Sequence, residues 1–231
     1  MFVLVDLDGT LLPLEAWDPV FQDASEVIAK EVGIDWRVVF QEAKKLNMEL
    51  MRGFSIKAFD WDYIFMEVAS RFGVSVNVDI EELLMRRVME FKPYDGSMEF
   101  LKLIKSLGYG VIIATNGWYK YQSIVIERLG FSQFVDGIRT PDIVGCPKNC
   151  CEFFRDGIIM VGDNPLFDVY YPSMCGLATL FIGDWNNRLS YVRNVWSLDL
   201  SAIKPTYSFR SIKDTVQAIT EILYGYSRVG S

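Results

Sequence analysis

The 231-residue chain contains no histidine. This excludes Ser-His-Asp and Cys-His catalysis, phosphohistidine chemistry and nearly all catalytic zinc sites, leaving carboxylates, lysine, hydroxyls, thiols and a hard metal ion for any reaction. A surplus of positive charge is missing too: 23 Lys and Arg face 30 Asp and Glu, for a net charge of -7 and a pI near 4.8. Such a balance argues against unspecific grip on nucleic acid or on an anionic membrane. No apolar run approaches the ~18 residues of a membrane span. The first residues run into an acidic strand without a basic leader. The expectation is a soluble, cytoplasmic protein. Cysteine is scarce, and three of the four are bunched at Cys146, Cys150 and Cys151. That spacing does not suggest a disulfide framework for a chain this size, and it lacks the fourth local ligand and paired spacing of a zinc ribbon. Cys150 and Cys151 are expected to begin a helix and pack.

What is present is apolar: 51% of residues are hydrophobic, enough for one large or two small domains. The run Phe2-Val-Leu-Val-Asp-Leu-Asp-Gly-Thr-Leu-Leu reads as a buried strand with an acidic end. Alternation turns Asp6 and Asp8 the same way, so both carboxylates converge on one small volume and imply a cation or a shared proton. Gly9 allows a sharp exit from the strand.

From Pro13 to about Phe91 the period changes to helical. Stripes begin near Val20, Trp36, Trp61 and Ile80; Asp35, Asp60 and Asp79 are N-caps, and Gly33, Gly53 and Gly73 are stops. Four linked amphipathic helices read as a small bundle. After Lys92-Pro-Tyr-Asp-Gly, helix and strand signals alternate. Val111–Ala114, Ile158–Val161 and Ala178–Ile182 are short apolar strands, each followed by polar residues. The pattern predicts an α/β fold with a doubly wound, Rossmann-like parallel sheet built from residues 1–13 and 92–231, into which a helical domain of residues 14–91 is inserted. Ligands of such sheets bind at the carboxyl ends of the strands.

Those ends carry a resemblance. Val3-Leu-Val-Asp6-Leu-Asp8-Gly-Thr-Leu-Leu12 is similar to the first motif of the haloacid dehalogenase superfamily, and Ile112-Ile-Ala-Thr115 to the second. Lys148-Asn-Cys-Cys-Glu-Phe-Phe154 resembles the third, which usually has prolines where Asn149 and Cys151 stand. Met160-Val-Gly-Asp163-Asn-Pro-Leu-Phe-Asp168 resembles the fourth. The helical insertion after the first motif is similar to the mobile cap of the phosphoglycolate-phosphatase-like branch.

The resemblance implies a phosphatase using Mg²⁺, held by Asp6, Asp163 and the backbone carbonyl of Asp8. It implies that Asp6 is the nucleophile and forms an aspartyl-phosphate, and that Asp8 protonates the leaving oxygen and then deprotonates water. Thr115 would bind the phosphoryl group through its hydroxyl and amide, with help from Asn116. Lys148 would add positive charge and restrain Asp6, while Asp168 would orient Lys148 or a metal-bound water. Taken singly, these residues have plainer readings: Thr115 as a helix cap, Lys148 as a surface charge, Asp163 as a turn residue and Asp168 as an acid at a helix start. Oxidised thiols beside Lys148 are expected to inactivate the enzyme.

Dehalogenases expel halide without a proton and generally lack the second carboxylate, so Asp8 favours phosphate esters. The substrate is expected to be a small phosphorylated metabolite, with specificity set in the cap; Trp17, Arg52 and Trp61 are possible contacts. Lys44, Lys45 and Lys57 are the insert's candidates for a Schiff-base lysine, by location only. Trp185–Trp196 is expected to cover a sheet edge or make a dimer contact, in a monomer or homodimer. Two alternatives stand beside the phosphatase: a phosphotransferase or phosphomutase on the same scaffold, and a non-catalytic phosphate-binding protein.

Overall fold

A computed structural model describes residues 1–227. Its sheet has six parallel strands: β1 (Phe2–Val5), β2 (Gly110–Ala114), β3 (Gly137–Arg139), β4 (Gly157–Gly162), β5 (Ala178–Ile182) and β6 (Tyr207–Phe209), in the order β3-β2-β1-β4-β5-β6. β1 is central because it is apolar on both faces. Val3 and Val5 point into the larger core cluster, whereas Leu4 joins Ile112, Met160, Phe153 and Phe154 on the other side. The order reverses at β1, so the acidic end of that strand lies at a topological switch point.

Four helices lie between β1 and the rest of the sheet: α1 (Asp18–Val32), α2 (Trp36–Arg52), α3 (Trp61–Arg71) and α4 (Ile80–Arg87). Asp35, Asp60 and Asp79 each accept a backbone N–H at the start of α2, α3 and α4, which satisfies donors that a helix start otherwise leaves orphaned. The largest buried cluster runs continuously from the sheet into this insertion, so the two share one apolar core.

Among the described residues six more α-helices follow: α5 (Ser97–Ser106), α6 (Tyr119–Arg128), α7 (Pro141–Val144), α8 (Tyr171–Met174), α9 (Trp185–Trp196) and α10 (Ile212–Ser227). The insertion is fastened to two of them. On α9, Arg52 Nε donates to the Val195 carbonyl at 2.9 Å, and Trp196 Nε1 returns a bond to the Met51 carbonyl at 3.0 Å. Beside α6, Trp118 Nε1 donates to the Ile56 carbonyl at 3.0 Å, and on the helix Lys120 pairs with Asp62. The aromatic stretch expected to cover a sheet edge or make a dimer contact thus forms a helix that holds the insertion, and Arg52 is spent on this fastening.

The cysteine expectation is corrected. Cys146 is bonded to Cys150, and Cys151 to Cys175. Cys175 is 24 residues from its partner and reaches it because α8 packs against the Cys151–Phe154 turn. Local spacing carries no trace of that approach. Stable disulfides are typical of oxidising compartments and of the intracellular proteins of hyperthermophiles. No helix among the described residues is long and apolar enough to cross a membrane.

Candidate active site

Asp6 leaves the end of β1 with its N–H on the Val161 carbonyl at 2.8 Å, which fixes the carboxylate above the sheet. The chain then turns back tightly: the Leu7 carbonyl accepts from the amides of residues 10, 11 and 12. Gly9 sits at φ +88°, and a Cβ there would lie 2.5 Å from Asp163 Oδ2. Only glycine meets both demands. Thr10 Oγ1 donates to Asp6 Oδ2 at 3.2 Å.

Lys148 is 2% exposed, which rules out the surface-charge reading. Its Nζ lies 2.6 Å from both Asp6 Oδ1 and Asp168 Oδ1. Asn116 Oδ1 accepts the Lys148 N–H at 2.9 Å, which seats the lysine loop on the end of β2. Burial works against the ammonium, but the charges of Asp168 and Asp6 outweigh it and hold its pKa above lysine's ordinary value. Asp168 is fully buried in the π-helical turn Pro165–Tyr170, and its second oxygen accepts the Asn164 N–H at 2.9 Å. It is therefore an anchor for Lys148 rather than a mere helix-start acid.

Asp163, 6% exposed, faces Asp6 from the end of β4 and is met by Arg188 Nη2 of α9 at 2.5 Å. Burial and the charge of Asp6 push its carboxyl pKa well up, and burial does the same to Asp168. Oxygens of Asp6, Asp163 and Asp168 lie within 4.8 Å of one another. Three hard-oxygen donors this close, with upward-shifted acids among them, suit a divalent cation of the Mg²⁺ type. Asp8 contributes no side-chain oxygen to that group.

The Asp8 side chain points elsewhere. Trp17 Nε1 donates to Oδ1 and Gln122 Nε2 to Oδ2, each at 2.7 Å. Burial raises its pKa to about 6, with the Asp6 charge adding to the rise and the two donors restraining it. Gln122 lies close over Gly117, where a Cβ would collide with its amide. Its Oε1 is buried without a partner.

Thr115 is buried at the end of β2, and its hydroxyl accepts the Gly117 N–H at 3.2 Å. Its own N–H is bonded to the Arg139 carbonyl of β3 at 3.1 Å. The expected role for the Thr115 amide is corrected: strand pairing consumes it, and only the hydroxyl remains. Nor does Thr115 cap α6, whose N-cap is Trp118.

All seven residues singled out in the sequence (Asp6, Asp8, Thr115, Asn116, Lys148, Asp163 and Asp168) line one cavity of about 330 Å³. The insertion roofs it with Trp17, Phe21, Met51, Phe59 and Trp61, and Asn47 is the polar side chain in that roof. Arg52 and the insert lysines Lys44, Lys45 and Lys57 are not among its lining residues. Sequence reasoning missed Gln122 and Arg188; their helical registers look like any others, and only the fold brings them to Asp8 and Asp163.

The haloacid dehalogenase-like hydrolase family model matches residues 2–187, across all four motifs. The chain belongs to this family. This haloacid dehalogenase-like hydrolase also resembles solved structures along nearly its whole length. A HAD phosphatase from Thermococcus onnurineus superposes with a TM-score of 0.72 at 22% identity, over 94% of this chain and 96% of that one. The putative HAD-hydrolase YfnB from Bacillus subtilis, solved with magnesium, gives 0.63 at 18% identity, over 94% and 97%. An L-2-haloacid dehalogenase from Xanthobacter autotrophicus gives 0.63 at 12% identity, over 95% and 98%. At these identities the likeness shows the fold. A comparison with curated proteins found no match.

Proposed function

We propose that this hydrolase is a Mg²⁺-dependent phosphatase that cleaves a small phosphorylated metabolite through an aspartyl-phosphate on Asp6. The observation that carries this reading is Asp8. Its carboxyl lines the cavity that Asp6 also lines, is held by two donors, and has a pKa near 6. Halide departure needs no proton, whereas an alkoxide leaving a phosphate ester does.

The chemistry follows from the positions of the groups. Asp6 attacks phosphorus as the P–O bond to the leaving group breaks, and the proton of Asp8 passes to the departing oxygen. Asp8, now a carboxylate, takes a proton from water; the water oxygen bonds to phosphorus and the acyl-phosphate bond to Asp6 breaks. Lys148 holds Asp6 in place throughout and offsets negative charge near the phosphoryl oxygens. The Thr115 hydroxyl and the Asn116 amide are the donors for those oxygens. Mg²⁺, held by Asp6, Asp163 and the Asp8 carbonyl, would neutralise the phosphate as it is approached.

The test is release of inorganic phosphate from 4-nitrophenyl phosphate with Mg²⁺ and with EDTA, run beside chloride release from 2-chloropropionate. Phosphate release that EDTA abolishes, without chloride release, is the expected result. Chloride release without phosphate release would overturn the reading in favour of a dehalogenase.

A further inference from the structure

The catalytic floor of the cavity treats every phosphate monoester alike, so the roof decides which leaving group is accepted. The insertion carries nine lysines and arginines between residues 14 and 91, and none lines the cavity. Several are engaged elsewhere: Lys44 lies over the Phe40 ring, Lys57 over Tyr63, and Arg87 pairs with Asp23. The two cations that do line it are already engaged, Lys148 by Asp6 and Asp168, and Arg188 by Asp163. A carboxylate or second phosphate on the leaving group would therefore enter a site with four carboxylates and no uncommitted cation.

A cationic leaving group needs aromatic faces open toward a common centre. Here the faces are packed on one another. Trp17 stacks on Phe21 with centroids 6.0 Å apart, and Phe21 meets Trp61 at 4.0 Å. The rings form a continuous wall rather than a cage, and the one indole N–H of Trp17 is taken by Asp8. A polyol needs many hydrogen-bond partners overhead. The roof offers Asn47, whose Nδ2 is already bonded to the Ala58 carbonyl at 2.7 Å, and the Tyr121 hydroxyl beside it serves Asp60 and Asp62. The volume, about 330 Å³, lies near the lower end of the ~300–1,000 Å³ typical of small-molecule sites.

We infer that the substrate is the phosphate monoester of a small, uncharged, apolar or aromatic alcohol. This rests on the phosphatase reading above and adds the leaving-group class to it. The wall of Trp17, Phe21, Phe59 and Trp61 takes the alcohol's apolar body, and burial of that surface supplies the discrimination.

The experiment compares kcat/KM, with Mg²⁺, for four alkyl monoesters that share the phosphoryl group: 2-phenylethyl phosphate, phosphoglycolate, phosphocholine and glucose 6-phosphate. The expected result is a preference of roughly tenfold or more for 2-phenylethyl phosphate over each of the others. Trp61→Ala should reduce that preference severalfold, read as the ratio of kcat/KM for 2-phenylethyl phosphate to kcat/KM for phosphoglycolate, and an unchanged ratio would count against the wall. Phe59→Ala serves as a second variant should Trp61→Ala fold poorly. Hydrolysis of all four without preference, or preference for a charged or polyhydroxyl ester, overturns the inference and leaves the phosphatase reading standing. Absence of phosphate release from every ester overturns both.

Discussion

The indole nitrogen of Trp17 lies 2.7 Å from Oδ1 of Asp8, so the first turn of the helical insertion holds the carboxyl assigned as the acid. The bond favours the ionised form and restrains a pKa that burial raises to about 6. Trp17→Phe removes the donor while keeping a ring against Phe21 and Phe91. The Asp8 pKa should rise further, so the fall of kcat/KM at high pH should move to higher pH. Asp8→Asn, which cannot move a proton at all, should lose about 10²–10⁴-fold in kcat. A pH profile unmoved by Trp17→Phe would separate Asp8 from the observed ionisation.

Lys148→Ala would leave Asp6 and Asp168 buried beside each other without their shared cation. Removing one partner of a buried ion pair costs on the order of 3–5 kcal/mol. The expected outcome is a melting temperature lower by roughly 10 °C together with loss of turnover. A thermal melt of the variant beside the wild type measures it.

Asp8, Asp163 and Asp168 all carry pKa values raised by the fold in the absence of metal. Groups of this kind favour the folded state while protonated. Their contribution is complete below the ordinary value of 3.8 and is lost as pH rises through the folded value, about 6 for Asp8 and upward-shifted for the other two. Metal-free protein should therefore melt at a lower temperature at about pH 7.5 than at about pH 5. Mg²⁺ should restore stability mainly at the higher pH, where its carboxylate ligands are ionised. Melts in EDTA that are flat or rising over this range would contradict the assignment.

The bond between Cys151 and Cys175 closes a loop of 24 residues that joins the turn after Lys148 to the helix after Asp168. Chain entropy gives such a link about 3 kcal/mol. Reduction by a dithiol should lower the melting temperature by roughly 5–10 °C. It should also weaken turnover rather than restore it, the reverse of the expectation that oxidised thiols inactivate. Melts and assays with and without the reductant decide between the two.

Much of this was legible because it is local. The β-branched run before Asp6 needs only its own alternation to become the central strand, and Asp35, Asp60 and Asp79 announce α2, α3 and α4 through a bond two or three residues away. The interval from Asp163 to Asp168 is one turn of chain, so their proximity beyond the end of β4 is visible in spacing. Partners that meet through the tertiary fold were not legible: Gln122 with Asp8, Arg188 with Asp163, and Cys175 with Cys151. The short strand β3 was missed for a related reason. Its three residues, Gly137-Ile138-Arg139, have no apolar run, and they hold their place by pairing with β2. That pairing is also what takes the Thr115 amide away from the substrate.

The most direct measurement of the central claim is phosphatase turnover of Asp6→Asn, an isosteric change that removes the nucleophile while keeping an acceptor for Lys148. The account predicts a loss of at least about 10³-fold in kcat with the fold intact by thermal melt. Turnover within about tenfold of wild type would contradict it.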